Sequence, residues 1–201
     1  MGVRKSTLEG LERLGVKVKT VLNEEQLRAV EILREAGIES EEGLSEDLFL
    51  LVSSLVPLPN VDLLVTDKDN RILLTRRNDE FFQKSWHIPG GTMRYGESFD
   101  TAIRKTAQRE LGCTIEYNPT PIAVRNVIRG QNLKQRFPRE RGHNVAILFR
   151  CFLPENYVID NRERSEDDNG YIKWFEKLPD NFMKIQYVYK DVLGEWIKEK
   201  A

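Results

Sequence analysis

Apolar and polar positions divide this chain into a helical beginning and a strand-rich remainder. In "NEEQLRAVEILREAG" the apolar residues Leu27, Val30 and Leu33 fall at helical spacing, with Asn23 as N-cap, Gln26 placed to complete a capping box, and Gly37 as the stop. A second helix is expected from Ser45 to about Val56, capped by Ser45, with Glu46 and Asp47 in the first turn where the helix dipole favours acids, and it ends at "PLP". From Asn60 the period changes. "VDLLVTD" and "RILLTRR" read as two apolar strands of a hairpin around a polar turn at Asp69-Asn70. "SWHIPGG" reads as a short strand entering a glycine turn. Ser98 to Leu111 predicts a helix with Phe99, Ala102, Ile103, Thr106, Ala107, Glu110 and Leu111 on or beside one stripe, stopped by Gly112. Strands are expected at "CTIEY", "PIAVRNVI", "NVAILFRCFL" and "GYIKWF", and a C-terminal helix over "PDNFMKIQYVYKDVLGEWIKEK" with Asp180 as cap. Helices and strands mix without strict alternation, which points to an α+β fold, a mixed sheet sandwiched between helices. The organisation expected is a helical N-terminal extension, 1–55, followed by one domain, 56–201.

Composition narrows the classes of function. Of the 201 residues 31% are charged and 40% hydrophobic, with a formal net charge of -1, so nothing argues for disorder, a nucleic-acid arm or a membrane-surface protein. Attraction for an anionic ligand must therefore be local. Cys113 and Cys151 lie in apolar surroundings without metal spacing and read as buried free thiols. No stretch approaches the roughly 20 apolar residues of a membrane span, and "MGVRKSTLEGLERLGV" lacks the apolar run of a signal peptide, so a cytoplasmic protein is expected.

The chemistry concentrates in "GGTMRYGESFDTAIRKTAQRELG". A Pro-Gly-Gly turn, a loop and a helix ending Glu-Leu-Gly resemble the Nudix hydrolase signature. Gly91, Glu97, Ala107, Glu110 and Gly112 fit it. Lys105-Thr106 stand where that family has Arg-Glu, and Arg109 stands where it has the first of two paired glutamates. Helical carboxylates three and four residues apart lie on one face and share divalent ions, so the losses at 106 and 109 should reduce the metal count, to one. Within the family, "NVDLLVTD", "LLTRRN", "WHIPGG", "GESFDTAIRKTAQRELG" and a later Tyr-Ile-Lys-Trp resemble the GDP-mannose mannosyl hydrolase branch over roughly Asn60 to Trp174.

That resemblance implies a Nudix fold, a nucleotide-sugar substrate, one Mg²⁺ with Mn²⁺ as an alternative, a homodimer, and cleavage of the C–O bond at the anomeric carbon. It implies the carbonyl of Gly90 and the side chain of Glu110 as metal ligands, Asp62 on the nucleotide side, Arg77 as a catalytic cation on the leaving pyrophosphate, Glu97 supporting the loop or the metal, and Arg94 as a further substrate contact. Where the branch has Gln-His before its Trp strand, this chain has Asp168-Asn169; Asp168 suits a hard cation, and Asn169 has no basic nitrogen. Candidates for the base are Glu166, Asp167 and His143, or there is none.

Simpler readings stand beside these. "SEDDNG" also reads as an acidic turn, Arg76 and Arg77 as exposed strand-end charges, and His87 and His143 as hydrogen-bonded structural histidines. The cations Arg129, Lys134, Arg136, Arg139 and Arg141 of "RGQNLKQRFPRERGH" read equally as a solvated loop and as one that closes over phosphates. The functions left in play are anomeric-carbon hydrolysis of a nucleoside diphosphate sugar, conventional attack on phosphorus, and a non-catalytic nucleotide-sugar-binding module.

Overall fold

The expected cap at Asn23 forms in both directions. In the computed structural model, which describes residues 23–38, 45–79, 82–128 and 143–197, the Gln26 amide donates to Asn23 Oδ1 at 2.8 Å and the Asn23 amide to Gln26 Oε1 at 3.0 Å. They open α1, Glu24–Ile38. The chain divides into two units, Met1–Leu48 and Phe49–Ala201. Helix α2, Glu46–Leu55, carries the junction and ends before "PLP", where proline cannot continue a helix.

In the second unit, strands β1 (Leu58–Val65), β4 (Gly90–Thr92), β5 (Glu116–Tyr117), β6 (Ala123–Ile128) and β7 (His143–Phe152) form one sheet, and β2 (Ile72–Asp79), β3 (Gln83–His87) and β8 (Ile172–Phe175) another. β1 lies between β4, antiparallel, and β7, parallel, while β5 and β6 pair with successive parts of β7. The Asp69-Asn70 turn does not make the expected hairpin. β1 and β2 belong to different sheets and touch through one isolated bridge, Thr66 to Ile72. The reason is visible in their apolar stretches: Val61, Leu63, Leu64 and Val65 of β1 and Ile72, Leu73 and Leu74 of β2 are buried on both faces, so each stretch is covered by layers above and below rather than sharing one solvated ribbon.

Alternation along β1 sorts side chains between two cores. Val61, Leu63 and Val65 face helix α3, Phe99–Leu111, with its Ala102, Ile103, Ala107 and Leu111, and with Phe149. Leu64 faces the opposite core, built with Ile72, Leu74, Trp86, Leu148, Tyr189 and Trp196. Asp62 shares the Leu64 side. Helix α3 has the caps its sequence predicts: Ser98 accepts from the Thr101 amide at 3.1 Å, and Gly112 closes it in the left-handed region.

The C-terminal segment departs from its expected α-helix. Its ordered turns are 3₁₀ helices, Lys184–Tyr189 and Gly194–Trp196, and Asp180 caps no α-helix. Residues before them are recruited as an edge pairing for β3: the Trp86 amide donates to Asn181 O at 3.0 Å and the Met183 amide to Trp86 O at 2.8 Å. Gln186 then clasps the strand-end backbone, accepting from the Ile88 amide at 2.7 Å and donating to the Ile88 carbonyl at 3.1 Å. Cross-chain bonds therefore outcompete helical ones. Cys151 is buried, and burial pushes its thiol up to about 12, whereas Cys113 is only partly covered.

Candidate functional site

The site is built where β4 meets the outer face of α3. β4 brings two glycines against neighbours that leave no room for a side chain. A Cβ on Gly90 would stand 2.2 Å from Asp62 Oδ1, and one on Gly91 would stand 2.7 Å from both Thr106 Oγ1 and Arg109 Nη2. The backbone of β4 and the last turns of α3 thus approach closely enough to share polar contacts.

Arg109 uses that proximity. Its Nη2 donates to the Gly90 carbonyl at 3.0 Å and its Nε to Glu110 Oε1 at 3.1 Å. The expected ligands Gly90 and Glu110 are therefore brought to one place, with a guanidinium between them. Glu110 is largely covered, its side chain 18% exposed, while that of Arg109 is 55% exposed. A parallel arrangement holds Glu97. Its Oε1 accepts from Lys105 Nζ and its Oε2 from the Arg94 amide, both at 2.8 Å. Burial opposes the charge on Glu97, but Lys105 and the Arg94 amide more than offset it and hold the carboxyl below its ordinary range. Thr106 is buried. Both carboxylates retained from the motif are thus paired with cations of α3 itself. Arg94 contributes this amide contact while its side chain is exposed.

Asp62 lies on the inner side of β1, directly behind Gly90, and is 4% exposed. Its Oδ2 accepts from Tyr189 Oη at 2.7 Å, and its Oδ1 from Asn60 Nδ2 at 2.9 Å and Gln186 Nε2 at 3.5 Å. Burial pushes the carboxyl up to about 7, against the pull of these three bonds. His87 is also buried, with Nδ1 2.9 Å from Ile88 O and Nε2 3.0 Å from Thr75 Oγ1. A carbonyl only accepts, so Nδ1 carries the proton and Nε2 accepts from the threonine. Burial lowers the histidine's pKa despite the nearby Glu110 charge and so favours the neutral ring.

The remaining expected residues occupy separate contacts. Arg77 pairs with Asp79 and lies 4.5 Å over the Phe82 ring. Asp168 Oδ2 accepts from the Ser165 amide at 2.7 Å and hydroxyl at 2.8 Å, bonds that keep its pKa low and tie it into its own turn. Asn169 Oδ1 accepts from the Asn78 amide. Of the candidate bases, Asp167 pairs with buried Arg76 at 2.9 Å and with Lys84 at 2.7 Å, and Glu166 pairs with Lys173 at 3.1 Å. His143 Nε2 lies 3.3 Å from Asn126 Oδ1, at the mouth of β7. The cationic stretch Arg129 to Arg141 lies outside the described residues. Reading the sequence missed the partnerships of Arg109 and Lys105, although both positions stand out as departures from the motif. It also missed the Asp62–Tyr189 contact, for which no local signal exists across so long a separation.

A family model for the NUDIX domain matches residues 56–178. The chain belongs to the NUDIX domain family. Among curated relatives it is 25% identical over 146 residues to an ADP-ribose pyrophosphatase of Methanocaldococcus jannaschii, covering 73% of this chain and 76% of that protein. It is 27% identical over 120 residues to a MutT-like protein of Streptomyces ambofaciens, covering 59% of this chain and 64% of that one. A solved structure from Jonesia denitrificans, described as a possible asymmetric diadenosine tetraphosphate hydrolase, superposes with a TM-score of 0.50 at 15% identity, covering 72% of this chain and 99% of that one. The Nudix fold, α+β with mixed strands and helices, is thereby shown.

Nudix hydrolases act on nucleotide-derived substrates and generally use a divalent metal. The Gly90 carbonyl and Glu110 carboxylate are hard oxygen donors and fit such an ion, which commonly keeps several waters and takes only one or two protein carboxylates. Among the described residues no group of three His, Cys, Asp or Glu side chains converges as a fuller set. No helix among them is long and apolar enough to cross a membrane.

Proposed function

We propose that this Nudix protein hydrolyses a nucleoside diphosphate sugar, GDP-mannose or a relative, by water attack at the anomeric carbon, releasing sugar and the nucleoside diphosphate. The observation that carries the reading is the fate of the motif's carboxylates: position 106 is a buried threonine, position 109 an arginine, and only Glu110 remains beside Gly90. Attack on phosphorus benefits from several ions that activate water. Departure of a diphosphate from an anomeric carbon proceeds through an oxocarbenium-like transition state and chiefly requires cations on the leaving group.

In this reading Gly90 O, Glu110 and Asp168 would hold one Mg²⁺, or Mn²⁺ in its place, which would supply positive charge to the diphosphate. Asp168 would exchange its bonds to Ser165 for the ion. Arg77 and Arg94 supply further positive charge to the substrate, Glu97 orders the loop through Arg94 and Lys105, and buried Asp62 supports the β4 backbone under the nucleotide side. His143 is the base retained for this scheme: its Nε2 donates to the Asn126 side-chain oxygen, which leaves Nδ1 as the basic nitrogen, whereas Glu166 and Asp167 are each held by cations. Hydrolysis of a nucleotide-sugar panel in heavy-oxygen water tests the bond broken. Label in the free sugar is expected; label in a phosphate product overturns carbon attack.

A second reading, attack on phosphorus, is favoured by the relative named ADP-ribose pyrophosphatase. Both readings share a diphosphate-linked sugar. Helix α1 of the extension is proposed to pair two copies, because Leu27, Val30 and Leu33 leave an apolar stripe exposed on it. Sedimentation equilibrium should give a dimer, and a monomer at working concentration would remove this element.

A further inference from the structure

We propose that Arg109 is a tethered cation that competes with the divalent ion for the Gly90–Glu110 donor pair, so that the ion enters only when the guanidinium swings out. The inference rests on that pair being the metal site of the preceding reading, and goes beyond it by assigning the residue that controls access.

Three observations carry it. The guanidinium bonds both donors at once, Gly90 O at 3.0 Å through Nη2 and Glu110 Oε1 at 3.1 Å through Nε. It therefore satisfies with hydrogen bonds the same two oxygens that would hold the ion. The place is shaped for it: a Cβ on Gly91 would come within 2.7 Å of Arg109 Nη2, so the guanidinium lies against a backbone that glycine leaves bare. Finally, the arginine is free to leave. Its side chain is 55% exposed on the last turn of α3, whereas Glu110 beside it is 18% exposed and stays behind as a donor.

The physical consequence is a site that is charge-balanced without metal. An incoming ion must break two bonds, one of them a charge-assisted bond to a carboxylate, and bring two positive charges beside a third. Swinging outward relieves the repulsion and exposes a fork of N–H donors with the geometry to grip diphosphate oxygens. Ion and diphosphate then assist each other: the anion draws the guanidinium away, and its departure opens the donors. In the absence of a diphosphate the ion binds weakly.

Mn²⁺ binding, followed as loss of the free-ion electron paramagnetic resonance signal, tests this without reference to turnover. Arg109→Gln should bind Mn²⁺ more tightly than wild type by on the order of 10-fold, the equivalent of one charge-assisted hydrogen bond no longer competing. Adding ADP should tighten Mn²⁺ binding more in wild type than in Arg109→Gln. Arg109→Lys, which keeps the charge and loses the fork, should fall between them. Thermal unfolding of each variant establishes that the fold is kept. Equal Mn²⁺ affinity in wild type and Arg109→Gln, with Glu110→Gln still abolishing binding, would overturn the proposal while leaving the donor pair intact. Binding indifferent to Glu110→Gln would remove the donor pair and the proposal together.

Discussion

Asp62→Asn is expected to raise stability above neutral pH and to leave it little changed near pH 4. The carboxyl has an ordinary value of 3.8 and sits at about 7 in the fold because burial disfavours its charge. Between those values the unfolded chain has released the proton while the folded protein retains it, so raising the pH favours unfolding; above about 7 both states are ionised and the loss stays constant. The stability associated with this group is therefore fully present at low pH and lost as pH rises through the window. At about 1.4 kcal/mol for each pH step per proton, the loss is on the order of 4 kcal/mol across it. Asparagine cannot ionise, and its side-chain oxygen can still accept from Tyr189, so it escapes the pH-dependent part. Urea denaturation of both proteins from pH 4 to about 8 reads the difference directly. Parallel curves for the two would mean that Asp62 does not hold its proton in the fold.

Glu110→Gln is expected to reduce metal-dependent hydrolysis by more than about 100-fold, since loss of a group that merely supports a metal ligand typically costs 10- to 100-fold. The fold should survive. Glu110 makes one ion pair, with a half-exposed arginine, and exposed pairs contribute about 1 kcal/mol or less. A melting temperature within a few degrees of wild type together with lost turnover assigns the carboxylate to chemistry. Undiminished turnover would take it out of the site. The two substitutions separate two uses of a carboxylate on either side of β4: Asp62 is buried in the core, where desolvation disfavours its charge, and Glu110 is paired with Arg109 beside the Gly90 carbonyl.

Local elements were readable where the signal was local. The Asn23–Gln26 box, the Ser98 cap and the Gly112 stop each depend on residues within one helical turn, and each forms as the residues require. The hairpin at Asp69-Asn70 and the C-terminal helix were misread because distant partners decided them. β2 pairs with the far-off β8, its Ile72 opposite Phe175, and the stretch before Lys184 pairs with the edge at Trp86. Candidate site residues divide in the same way. The motif placed Gly90, Glu97 and Glu110 near one another through the spacing of a turn, a loop and a helix. It was silent about their partners.

The amino-acid sequence alone therefore determined the family, the α+β class, the capped helix α3 and the carboxylates missing at positions 106 and 109, because all of these are properties of residue type and short-range spacing. Tertiary structure alone decided what replaced the missing charges. Packing β4 against α3 brought the Arg109 guanidinium between Gly90 and Glu110, and packing the C-terminal turns under β1 sealed Asp62 beside Tyr189. Both outcomes depend on distances of a few ångströms between atoms far apart along the chain, which residue type and short-range spacing do not fix.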